Sequence, residues 1–120
     1  MGKYVLREKS YAFALRIVKM VQFLADEKKE YILAKQALRS GTAVGAMIRE
    51  SEYAESKVDF SHKLQIALKE ANETSYWLSL LKDSNYIEPK AYSSIDKDCQ
   101  ELMALLVSSI KTAKGISGEK

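Results

Sequence analysis

The chain has 120 residues, 47% hydrophobic and 29% charged, and a formal net charge of +3. That size suits one domain, residues 1–120, with its own core, and that balance excludes a disordered chain. A single cysteine, Cys99, excludes an internal disulfide, and no apolar run approaches the ~20 residues that cross a bilayer, so neither a membrane partner nor a secreted fold is expected and the expected location is cytoplasmic.

One proline, Pro89, and five glycines punctuate the sequence, and the alternating Val, Ile and Thr runs that strands need are missing. The expected fold is therefore all-α. The first helix is expected over about 10–27, with Ser10 as its N-cap. Ala14, Ile17, Val21 and Leu24 make its buried seam, which Phe13, Val18 and Met20 widen. The cluster Asp26 to Glu30 is expected to turn the chain, because extending the seam would bury Lys28 and Lys35.

The second helix then covers about 31–54. Ser56 with Asp59 resembles a capping box and opens the third helix, about 57–84. Phe60, Leu64, Ala67, Ala71, Thr74, Leu78 and Leu81 step along it by four and three. Asn85 tolerates the left-handed conformation that ends a helix, and Pro89 suits the first turn of the fourth, about 89–114. Ile95, Cys99, Leu102, Leu106 and Ser109 form its seam. Gly115 stops it, and the last six residues are expected to fray. Four helices joined by short turns predict an antiparallel up-and-down bundle.

Two segments carry more apolar surface than one seam requires. Gly41 to Ile48 and Leu102 to Val107 hold no charge on any side, so each is expected to be buried all round or to meet a partner. Gly41 and Gly45 also have the spacing that lets a second backbone come close. The expectation is a homo-oligomer, with Gly41, Val44, Gly45, Met47, Ile48 and Trp77 at its interface; tight packing within one chain is the alternative.

No ordinary catalytic set is present. Asp59 with His62 and Glu70 with Glu73 have helical i, i+3 spacing, but a lone histidine cannot complete a di-iron site. Glu70 and Glu73 beside Lys69 read more simply as a solvated, ion-paired face. Cys99 falls on an apolar seam with no base in its motif, and Gly-Thr-Ala-Val-Gly lacks the Lys-Ser/Thr ending of a phosphate loop. No catalytic residue, metal or cofactor is expected.

Charge is uneven along the chain: residues 1–49 hold ten bases and four acids, the remainder nine bases and twelve acids. Lys35, Arg39, Thr42, Ala46 and Arg49 share one helical face in a stretch, 31–49, that has no acid. Arg16 and Lys19 share a strip of the first helix that could extend it. Such a stripe suits phosphate contacts, salt-sensitive and weakly specific, so RNA or DNA is the expected partner. A scaffold that binds another protein is the alternative.

The stretch YILAKQALRSGTAVGA, followed by KVDFSHKLQIALKEANETSYWLSLL, resembles the bacterial four-helix-bundle family of proteins encoded in 23S ribosomal RNA intervening sequences. The resemblance covers about residues 5–114, and RSGT-x-x-GA and KEA-x-ET-x-YWL are its most specific parts. It implies a ring-shaped homopentamer of up-and-down bundles with no established catalytic residues. A structurally similar relative, the accessory variability determinant of diversity-generating retroelements, binds nucleic acid and a reverse transcriptase through a basic surface. The family often has Asn after the Gly-Ala pair, where this chain has Met47.

Overall fold

A computed structural model describes residues 2–115, with side chains from Tyr4 onward. Met1 and residues 116–120 lie outside the described residues, and with them most of the tail expected to fray. Four helices follow in chain order: α1 Gly2–Lys28, α2 Ile32–Ser51, α3 Lys57–Asp83 and α4 Pro89–Ala113. Each packs against its neighbours in sequence and α1 closes on α4, in a body of 46 × 28 × 20 Å. The long dimension matches a helix of 27 residues at a rise of about 1.5 Å per residue.

The first helix begins earlier than its sequence signals suggest. Ser10 lies inside α1, buried, and its hydroxyl donates to the Arg7 carbonyl at 3.1 Å instead of capping a start. Packing overrides the cap signal, because Leu6 is buried one turn earlier and carries the helix toward the N-terminus. The seam is Leu6, Ser10, Phe13, Ile17, Met20 and Leu24, so Ala14, Val18 and Val21 are only half-buried.

The turn between α1 and α2 has neither Gly nor Pro. Lys29 takes a left-handed φ of 55°, and the Glu30 amide donates to the Leu24 carbonyl at 3.0 Å. The Glu30 carboxylate, buried, then accepts from the amides of Ile32 (3.1 Å), Leu33 (3.0 Å) and Ala34 (2.9 Å). Three donors that a helix start leaves orphaned are satisfied by one charged side chain, which also complements the positive end of the helix dipole.

The other boundaries follow their signals. Ser56 Oγ accepts from the Asp59 amide at 3.0 Å, while Asp59 reaches back to the Glu55 amide at 3.2 Å. Asn85, at φ 68°, ends α3 with the Tyr86 amide donating to the Leu81 carbonyl at 2.9 Å. Leu64, Ala67, Ala71, Thr74, Leu78 and Leu81 are buried as their spacing predicts, and Phe60 is half-buried. Ile95, Cys99, Leu102 and Leu106 do the same on α4.

The four seams between helices are not equal. Where α2 meets its neighbours the contact residues are small: Ala34, Ala37, Ser40, Gly41 and Val44 on α2, and Ala67 and Ala71 on α3. Small side chains let backbones approach closely. Across α1 and α4 the packing is sparser, and long charged side chains span the gap, as in Lys9 to Glu101 at 3.2 Å and Arg16 to Asp98 at 2.9 Å.

Candidate nucleic-acid interface

The five basic residues picked out by spacing do not form one strip. Arg39 turns toward α3, where its guanidinium pairs with Glu70 at 3.3 Å and hydrogen-bonds Glu73. Glu73 also accepts from the Trp77 indole N–H at 2.9 Å. The Arg39 hydrogen bond, then that of Trp77, holds the Glu73 carboxyl below its ordinary range, and the Arg39 guanidinium is pushed up in turn. Two carboxylates thus neutralise the centre of the expected stripe.

Arg16 is also committed. Its guanidinium donates to the Ser94 carbonyl (3.1 Å), Ser94 Oγ (2.9 Å) and Asp98 (2.9 Å), tying α1 to α4. Lys19, Lys35 and Arg49 are exposed and make no ion pair among the described residues. Arg16 and Lys19 open toward α4, whereas Arg49 opens toward the N-terminal half of α1, so the strip on α1 does not extend the one on α2.

Three hollows gather these charges, one of them, of about 530 Å³, placing Arg7, Arg49 and Lys63 among Glu50, Glu55 and Asp59. On the α1–α4 seam a groove of about 540 Å³ is walled by Arg16, Lys19, Phe23 and Lys28 of α1 and by the turn from Asn85 to Glu88. Its floor is Met20, Ile87 and Ile95, and Glu88 is the one carboxylate on its wall. Between α1 and α2 a smaller cleft of about 220 Å³ is lined by Arg7, Ser10, Tyr11, Thr42 and Arg49 over Gly45 and Ala46, with no acid in its lining. Arg7 is shared, since it also pairs with Glu52 at 3.2 Å.

Sequence spacing alone passes over Phe23, Lys28 and Arg7. The available signal is that Phe23 sits off the buried seam of α1 between two lysines, 44% exposed, with Lys28 Nζ 5.9 Å from its ring centre.

The expected oligomer interface needs correction. Val44 and Ile48 are buried in the core of a single chain, and Gly41 lies against Ile17, where an added Cβ would stand 2.9 Å from that side chain. Gly45 faces Ser10, and Met47 and Trp77 are half-buried against the same core. Residues 41–48 are therefore largely spent on α1 and α3, because small residues admit those helices closely enough to cover them. The end of α4 differs: Ala104 and Val107 stay exposed. Apolar side chains left open on α1 are Tyr4, Tyr11, Leu15 and Phe23, and others, among them Ile32, Tyr53, Val58 and Tyr76, are scattered over the rest of the chain.

Cys99 is buried, donates to the Ala71 carbonyl at 3.2 Å, and has its thiol pushed up to about 12, first by burial and then by Asp96. It is protonated at neutral pH and packs as a small apolar group. His62 is exposed, and among the described residues no three His, Cys, Asp or Glu side chains gather as metal ligands. None of the described helices is long and apolar enough to cross a membrane.

The model for the 23S rRNA-intervening sequence protein family matches residues 3–108. The chain belongs to that family. A crystal structure of a protein of unknown function from the S23 ribosomal protein family of Bacteroides thetaiotaomicron VPI-5482 is similar to it, at 53% sequence identity and a TM-score of 0.91 over 92% of this chain and 99% of that one. Among curated proteins, none matches.

The fold also brings together two segments inside the stretch that matches the 23S rRNA-intervening sequence protein family, RSGT-x-x-GA and KEA-x-ET-x-YWL. Arg39, Ser40 and Gly41 come from the first; Glu70, Glu73, Thr74 and Trp77 come from the second. They meet as a clasp between α2 and α3, with Arg39 on Glu70 and Glu73, and the Ser40 and Thr74 hydroxyls hydrogen-bonded at 2.8 Å in the core. In this chain those residues do structural work.

Proposed function

We propose that the protein is a non-enzymatic, self-assembling adaptor that holds nucleic acid by its phosphates across α1 and α2. The observation that carries this reading is that Lys19, Lys28, Lys35 and Arg49 are exposed and without ion pairs among the described residues in the half of the chain where bases outnumber acids. The exposed Lys57, Lys69, Lys90 and Lys97 of α3 and α4, likewise unpaired among the described residues, lie in the half where acids outnumber bases. Unpaired cations give up no ion pair in turning toward a phosphate, whereas Arg39 and Arg16 would first have to leave carboxylates. The binding set is therefore Lys19, Lys28, Lys35 and Arg49, with Arg7 beside Arg49, in place of a stripe centred on Arg39.

Assembly supports the same reading, since several copies of a weak basic surface add by avidity. The exposed Tyr4, Tyr11 and Leu15 of α1, with Val107 of α4, are the apolar surface such an assembly would cover, and the family resemblance suggests a pentamer. Light scattering on purified protein tests this: a monomer at micromolar concentration would remove the assembly.

The test of function is a gel-shift titration with RNA and with duplex DNA over a range of salt. Binding should weaken steeply as salt rises, with a log–log slope of about −0.9 for each duplex phosphate neutralised. Lys35→Glu with Arg49→Glu should flatten that slope, and Arg39→Ala should leave it unchanged. No binding at low salt would end the proposal. The exposed apolar side chains of α1 favour a second reading, a scaffold for another protein, which nuclease-resistant co-purification of a partner would support.

A further inference from the structure

We propose that the groove on the α1–α4 seam binds one unpaired nucleotide of a single-stranded nucleic acid, which makes the protein prefer single strands to duplexes. This rests on the nucleic-acid reading above and names the class of ligand at one part of its surface. The groove's volume, about 540 Å³, falls within the range of roughly 300–1,000 Å³ usual for sites that take small organic ligands. Its chemistry has two halves. Lys19 and Lys28 are exposed cations without an ion pair among the described residues, and one carboxylate, Glu88, opposes them on the wall. The floor of Met20, Ile87 and Ile95 is apolar, and Phe23 and Tyr86 stand on the walls.

A duplex offers the first half a partner and the second half none, because its bases are stacked and paired away from an apolar hollow. An unpaired nucleotide satisfies both: its base presents a flat face to an aromatic ring while its phosphate reaches the lysines. At rest the Lys28 ammonium lies over the Phe23 ring, 5.9 Å from its centre, so a base stacking on that face takes the place of the ammonium, which is then free to meet the phosphate. Arg16, held by Asp98 and Ser94, ties α1 to α4 at the edge of the groove.

The test is fluorescence anisotropy with a labelled single-stranded RNA, a duplex of the same sequence and a polyglutamate peptide, on the full chain. The native protein should bind the single strand most tightly. Phe23→Ala should weaken single-strand binding about tenfold, the effect of losing one stacked base, and leave duplex binding unchanged; Phe23→Tyr should restore it. Phe23 is 44% exposed, and unchanged circular dichroism would show that the variants fold. Equal binding of single strand and duplex, with Phe23→Ala without effect, overturns the groove proposal and leaves phosphate binding standing. Polyglutamate bound as tightly as RNA also overturns it, since charge alone would then suffice. Failure to bind any nucleic acid at low salt overturns both proposals.

Discussion

The two sides of this bundle are held together by different means. Around α2 the helices interlock through small residues and buried polar contacts: Gly41 against Ile17, Ser40 with Thr74, and the Glu30 carboxylate on three amides. Along the α1–α4 seam they are spanned by long ion pairs at 2.9 and 3.2 Å, with a groove beside them. Close packing is intolerant of added volume, whereas a seam bridged by flexible charged side chains tolerates change and leaves room for a ligand. Close packing is thus concentrated around α2, and the larger groove lies on the α1–α4 side.

The largest expected effect is at the α1–α2 turn. Glu30→Ala should lower stability by about 2–3 kcal/mol, because three amides at a helix start lose a charged acceptor. Thermal or urea unfolding measures it, and a loss below about half a kilocalorie would show that water serves those amides equally well. Next is Gly41→Ala, where a new Cβ would meet Ile17 at 2.9 Å; overpacking outweighs the better helix propensity, for a net loss of about 1–2 kcal/mol. Retained stability would show that α1 can move away from α2 and that the interlocked side is softer than described.

On the open side Arg16→Ala should cost less than about 1 kcal/mol, as partly exposed ion pairs do. A cost matching that of Glu30→Ala would erase the contrast between the two sides. Gly45→Ala should reverse the sign of its neighbour: the nearest atom an added Cβ meets is Ser10 Oγ, at 3.4 Å, an ordinary contact, so the gain in helix propensity prevails and stability rises by about 0.5 kcal/mol. Measuring the two glycine variants together separates close packing from backbone entropy.

The smallest effect is a pH dependence of the α2–α3 clasp. Glu73 titrates below its ordinary value of 4.5 in the folded chain because Arg39 and Trp77 hydrogen-bond its charged form. A depressed carboxyl contributes stability that is present above the unfolded-state pKa and is lost as pH falls through the folded one. Unfolding midpoints should therefore decline slightly more on acidification in the native protein than in Glu73→Gln, and identical declines would remove the clasp's electrostatic part.

Much of this architecture is legible in the sequence, because its signals are local. The spacing of Leu64, Ala67, Ala71, Thr74, Leu78 and Leu81 placed α3, and Ser56, Asn85 and Pro89 marked ends through contacts within a few residues. Ser10 misled because an internal serine and a capping serine look alike until the residues before it are seen to pack. Lys29 and Glu30 gave no Gly or Pro to read, since a lysine adopts the left-handed turn and a carboxylate replaces the usual cap.

What the sequence determined by itself, then, is the number of helices, their buried faces and most of their ends. The tertiary structure alone decided the fate of the charges and the glycines. Helical periodicity put Lys35, Arg39 and Arg49 on one face, but whether a cation is free depends on which carboxylate the neighbouring helix brings near it. Glu70 and Glu73 reach Arg39, Asp98 reaches Arg16, and Lys19, Lys35 and Arg49 are left to solvent. Likewise, two glycines four residues apart read the same in sequence, and only the distance to α1 separates the one packed tightly against Ile17 from the one where a Cβ would make an ordinary contact with Ser10.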